Sequence, residues 1–178
     1  MTAMAIVKEK EIGTLEQLIV TPLSASELML GKTIPFLLMG LLDTALVIAV
    51  AVFWFGVQVA GSYALLFGLS TLFLLSNLGL GILISTVSKN QHEATLTAFF
   101  FFMPFILLSG MMFPIDNMPR AIQYITYAIP LRYALDIVRG IFLKGIGLEY
   151  LWPQLLILAG FGIGIIAFSA TRFSKRLG

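Results

Sequence analysis

One carboxylate stands alone in the apolar part of this sequence: between Lys32 and Lys89 the only ionised side chain is Asp43. An ionised acid at the centre of a membrane span costs roughly 2.5–3.5 kcal/mol on the insertion scale, and each neighbouring Leu, Val, Ile or Phe offsets about 0.3–0.6 kcal/mol of it. Two uses suit such a residue. One is a structural hydrogen bond to Asn77, because Asp43 lies 11 residues after Lys32 and Asn77 lies 12 residues before Lys89, so neighbouring antiparallel helices would hold them at nearly equal depth. The other is a place in a polar pathway, with Asp43 as an ion or proton site.

The remaining chemistry is sparse. There is no cysteine and a single histidine, His92, which excludes thiolate metal sites and leaves no triad or metal cluster for covalent catalysis. His92 reads as a solvated turn residue, the other reading being a contact to a partner protein. No G-x-x-x-x-G-K-[ST] loop occurs, so the chain does not cradle ATP. The run Gly160-Phe161-Gly162-Ile163-Gly164 lies inside an apolar stretch, where Gly160 and Gly164 suit close helix packing. Arg132, Asp136 and Arg139 follow one another at i, i+4 and i+7, which on a helix gives either a mutually neutralising stripe or a charged outer gate. Phe99 to Phe102, with Met103, Pro104 and Phe105, spread rings around one helix, so some must face lipid, and Pro104 predicts a kink.

Composition sets the solvent in which these residues work. Charged residues are 11% of the 178 and hydrophobic ones 59%, against roughly 25% and 45–50% in soluble domains, and mean hydropathy is +0.99. The predicted class is therefore an all-α membrane protein. The net charge of +2 is too small to indicate a nucleic-acid partner.

Charge gaps place the spans. Gly56, Gln58, Gly61 and Ser62 break the long apolar stretch into helices over about 33–57 and 62–87. Glu93 and Asp116 bracket a third, 94–115, and Glu149 and Arg172 a fourth, 150–171. Four transmembrane helices put both termini on one side. Lys8, Lys10, Lys32, Lys89, Arg172, Lys175 and Arg176 collect there, against Arg120, Arg132, Arg139 and Lys144 opposite, so the first side is predicted cytoplasmic. Trp54, Tyr63, Tyr150 and Trp152 then form an aromatic belt at the outer interface. The outer connection, 116–149, contains after Pro130 an amphipathic helix with Leu131, Ala134, Leu135, Val138 and Phe142 on one face. Two placements suit it: flat on the outer surface, or dipping in as a re-entrant segment.

The segment 8–30 carries its own punctuation. Gly13 suits a helix C-terminus, and Thr14 with Gln17 forms a capping box for a short helix with Leu15, Leu18 and Ile19 on its apolar face. Thr21-Pro22 ends that helix, and Ser24 with Glu27 caps the next. The expected product is a short amphipathic helix along the cytoplasmic membrane surface, with Glu9, Glu11, Glu16 and Gln17 available to a partner.

The stretch Glu9 to Pro22 resembles the segment before the third membrane helix of ATP-binding-cassette permeases of the type-2 exporter class, E-x-E-x-G-T-x-E-Q-L-x-x-T-P, matching at Gly13, Thr14, Glu16, Gln17, Leu18, Thr21 and Pro22. The order of spans, Phe113-Pro114 and Pro130-Leu131-Arg132-Tyr133 are similar to that class too, so the resemblance covers nearly the whole chain. It implies a single permease transmembrane domain over 1–178, comparable to the C-terminal half of a six-span subunit. The 8–30 segment becomes a coupling element that docks on an ATPase subunit through Glu9, Glu11, Gly13, Thr14, Glu16, Gln17, Leu18 and Pro22. ATP and Mg are expected in that partner, with no cofactor bound by this chain. A second permease copy or homologous half completes a dimer in the plasma or bacterial inner membrane. The third span then borders a central cavity, and Phe101, Phe105 and Leu108 could meet hydrophobic cargo. The expected function is efflux driven by the partner's ATP hydrolysis; the alternative is a small ion-coupled carrier or channel with Asp43 as its site.

Overall fold

The computed structural model describes residues 7, 8, 11, 12 and 25–177. Among these the chain is all-α, with helices α1 (Ala25–Ala49, continued by a π turn over Val50–Trp54), α2 (Tyr63–Val87), α3 (Gln91–Leu108), α4 (Arg120–Thr126), α5 (Pro130–Lys144) and α6 (Leu148–Leu177). Among the described residues four stretches are long and apolar enough to cross a membrane: Thr33–Trp54, Tyr63–Val87, Gln91–Leu108 and Leu148–Ser169. Large apolar side chains such as Leu42, Leu46, Phe53 and Phe100 point outward, which is stable only where the surroundings are themselves apolar.

Helices α2 and α6 make the most extensive pairing and run parallel. Small residues permit it: a Cβ on Gly162 would lie 2.9 Å from the Ser76 hydroxyl, and one on Gly79 would lie 3.0 Å from Ile165 and Ile166. The hydroxyls then reach across, Ser76 donating to the Leu158 carbonyl at 3.4 Å and Ser169 to the Gly79 carbonyl at 3.0 Å. This is the association expected without a hydrophobic driving force, by close backbone approach plus interhelical hydrogen bonds. Gly160 and Gly164, whose spacing predicts close packing, instead line an open apolar groove, and a Cβ added at either would meet nothing within 4 Å. Helical periodicity identifies the small-residue run but not which of its faces meets a neighbour.

The third span is shorter than the charge-free run 94–115. It starts at Gln91, because Asn90 caps it, its Oδ1 accepting from the Glu93 amide at 2.7 Å while Glu93 accepts from the Lys89 amide at 2.7 Å. It stops at Leu108, because the Ser109 hydroxyl bonds back to Ile106 and Gly110 turns the chain at φ +84°.

Helix α5 follows its sequence signals closely. Pro130 occupies the first turn, where its missing N–H costs nothing, and Gly145 ends the helix at φ +62°. Ile137 and Ile141, 1% and 0% exposed, join Ile48, Leu66, Leu69, Leu151 and Leu158 in the main core. Gly145 also abuts the α1–α2 connection, where a Cβ would come within 2.9 Å of the Ala60 carbonyl oxygen. Gly145→Ala should therefore cost at least about 1 kcal/mol, from the left-handed backbone and the clash together. A lowered melting temperature in detergent tests this; an unchanged one would show that the junction relaxes freely.

Candidate functional site

Near the Lys89 turn, the segment ahead of α1 is fastened to the α2–α3 hairpin. Val7 is fully buried against Ile84 and Ala94, with Ala98 and Phe102 packed around them. One turn further on, the Glu11 carboxylate accepts from the backbone amide of Gln91 at 3.1 Å and from its side-chain amide. Those donors belong to the first turn of α3, where unpaired N–H groups and the helix dipole favour a negative charge. Hydrogen bonds from Gln91 hold the Glu11 carboxyl below its usual value of 4.5. A depressed carboxyl favours the docked arrangement at neutral pH, and that contribution is lost as the pH falls through the lowered value. Of the other predicted coupling residues, Glu9, Gly13, Thr14, Glu16, Gln17, Leu18 and Pro22 lie outside the described residues.

Asp43 sits midway along the Thr33–Trp54 span and opens into a groove of about 360 Å³ between α1, α2 and α5. The expected hydrogen bond to Asn77 is not formed: the Asn77 amide donates to Phe73 of its own helix at 3.1 Å. Register is the reason. Leu74 lies against Gly40, Ser70 shares the groove with Thr44, and Leu66 shares the core with Ile48. Asp43 therefore stands level with Ser70 and Thr71, and Asn77 is about 9 Å further along the axis. Counting inward from Lys32 and Lys89 assumes that the two lysines mark one plane, whereas α2 runs on well past the level of Lys32 before it ends.

On α3, Phe101 and Phe105 share a face as their spacing requires and meet edge to face, with ring centroids 6.4 Å apart. Phe101 is exposed, and Phe105 is half-buried.

The charged stripe of α5 is organised differently from a neutralising row. Arg132 donates to the Thr126 hydroxyl and lies over the Tyr127 ring, 4.1 Å from its centroid. Arg139 donates to the Gly110 carbonyl at 2.9 Å, tying α5 to the turn that ends α3. Asp136 is exposed, and among the described residues it forms no hydrogen bond or ion pair with either arginine. Helical spacing brings the three side chains onto one face, but each guanidinium finds better-oriented acceptors in the adjoining turns. Tyr133 is the residue that spacing does not single out: its hydroxyl donates to the Tyr127 carbonyl at 2.8 Å and its ring meets Phe161 at 6.2 Å. Phe161 lies about 20 Å from the start of α6, so the α4–α5 turn reaches far along the bundle. Its backbone is internally satisfied, with Ala128 bonding to Ile125 and Ile129 to Thr126, both at 3.1 Å.

Comparison with known proteins places the chain among membrane permeases. The chain is 39% identical over 178 residues to the probable multidrug ABC transporter permease YbhS of Escherichia coli K12, covering 99% of this chain and 47% of that relative. It is 37% identical over 165 residues to the probable multidrug ABC transporter permease YbhR of the same organism, covering 90% and 45%. It is 29% identical over 179 residues to the inner membrane transport permease YhhJ, also from that organism, covering 100% and 48%. The chain thus spans about half the length of these relatives. The family model for the ABC-2 type transporter matches residues 1–143, and the chain belongs to that family.

Proposed function

We propose that this chain is the C-terminal membrane part of an ATP-binding-cassette exporter permease, working as a dimer and driven by a separate ATPase subunit that holds ATP and Mg. The observation that carries the reading is the Glu11–Gln91 clamp with Val7 beneath it. A segment that takes up force from an ATPase must be mechanically joined to the spans it moves, and this one is joined to α3 as well as leading into α1. The Lys89 end is then cytoplasmic in a bacterial inner membrane, both termini lie on that side, and the aromatic belt of Trp54, Tyr63, Tyr150 and Trp152 lies outside. The packing of α5 along α6 down to Phe161 supports a re-entrant α4–α5 hairpin whose arginines brace an outer gate. The coupling surface is the 8–30 segment, and the permeases named for multidrug transport make a hydrophobic drug-like cargo the first choice.

Co-purification of the full-length permease with its ATPase tests this. Substituting Gly13 and Glu16 together should reduce the recovered ATPase by about tenfold while membrane insertion stays normal. Export that proceeds at full rate without the ATPase would sink the proposal.

A further inference from the structure

We propose that the groove between α1, α2 and α5 is a binding site for a lipophilic organic cation, a protonated amine or an onium ion on an apolar body, with Asp43 as its counter-ion. The inference rests on the exporter reading, since it names the chemical class of the cargo.

Depth is the first argument. Asp43 falls at the middle of the Thr33–Trp54 span, beyond the headgroups at either face, so a phospholipid's own ammonium does not reach it. The occupant must bring its charge to mid-membrane on a body that tolerates lipid. Charge is the second. Among the described residues no Lys or Arg lines the groove, and Arg139, next to the lining residue Val138, is held by the Gly110 carbonyl. An acid at mid-membrane is costly without a positive partner, and intramembrane acids accordingly mark pathways. The neighbouring polar atoms have the matching character. Thr44 uses its hydroxyl hydrogen on the Gly40 carbonyl at 2.8 Å, which leaves its oxygen as an acceptor only, and Ser70 adds a second hydroxyl oxygen to the lining. Phe142 adds an aromatic ring to the lining, a group of the kind that attracts cations. Size is the third. A volume of about 360 Å³ falls within the range of small-molecule sites, roughly 300–1,000 Å³.

The test uses full-length protein in lipid nanodiscs, with tetraphenylphosphonium as the cation and triphenylphosphine oxide as a neutral comparator of similar shape. Asp43→Asn should weaken tetraphenylphosphonium binding by at least about tenfold and leave the neutral compound within about twofold, while Asp43→Glu keeps most of the cation affinity. Val47→Trp, which fills the groove and leaves the charge in place, should reduce binding of both. Cation binding no stronger than to empty nanodiscs, equal binding by Asp43→Asn, or full binding by Val47→Trp each overturns the proposal. ATPase co-purification is read on the same samples. Asp43-dependent cation binding without any ATPase association defeats the exporter reading and keeps the site; ATPase association with cation binding indifferent to Asp43 defeats the site alone.

Discussion

Gly162→Leu should be among the most destabilising single substitutions in the membrane part of this protein, while Gly160→Leu, two residues away on the same helix, should be nearly neutral. A single added Cβ at Gly162 already lies 2.9 Å from the Ser76 hydroxyl, whereas one at Gly160 meets nothing within 4 Å. Leucine at 162 forces α2 and α6 apart. Overpacking of this kind costs typically 1–3 kcal/mol, and the separation also removes the Ser76 and Ser169 hydrogen bonds across the interface, each worth about 0.6 kcal/mol in membrane settings. The expected total is about 2–4 kcal/mol, against less than about 0.5 kcal/mol for the open position. Thermal melting of the two variants in detergent decides it. Equal losses would mean that glycine is needed along the whole helix for its backbone and not at one contact.

The second large effect concerns coupling. On the proposed exporter reading, Glu11→Ala should lower ATP-dependent transport about tenfold, within the span typical of energetic coupling between sites, while ATPase binding and membrane insertion stay close to normal, because the Glu11 carboxylate is engaged by Gln91. The side chain is exposed, so little stability depends on it. Its importance is geometric, because it binds two donors in the first turn of α3, and that helix carries the Phe101–Phe105 pair. With the clamp gone, movement of the segment ahead of α1 reaches α1 through the chain but α3 only through the apolar seat of Val7. The diagnostic result is ATP hydrolysis that continues without transport. Gln91→Ala should reproduce it, since it removes the side-chain half of the clamp from the other partner. A loss of ATPase binding in Glu11→Ala would place the residue in the docking surface itself.

Several of these features can be read from residue order. Asn90 and Glu93 are spaced as a capping box, so the start of α3 is written there, although the charge of Glu93 taken alone places the boundary of the span a few residues late. Pro130 and Gly145 mark both ends of α5. Gln91 carries no such signal: its partner lies 80 positions earlier in the chain, and nothing local announces a contact over that separation. The Asp43–Asn77 pairing fails for a related reason. Equal distance from two lysines is a statement about the sequence, while depth depends on where each helix begins and how the pair slides.

The amino-acid sequence by itself determined the class of the molecule, its four apolar spans and the breaks between them, because these follow from transfer of side chains into lipid and from backbone rules that act within a turn or two; its family was legible only through resemblance to known permeases, chiefly that of the Glu9 to Pro22 stretch. Tertiary structure alone decided that Gly162 and Gly79 meet a neighbour and Gly160 does not, that Arg132 and Arg139 bind turns and not Asp136, and that Asp43 opens into a groove. Helix rotation and sliding set those outcomes. Both are settled by packing summed over whole helix faces, and in a chain apolar on nearly every side no amphipathic stripe records the result.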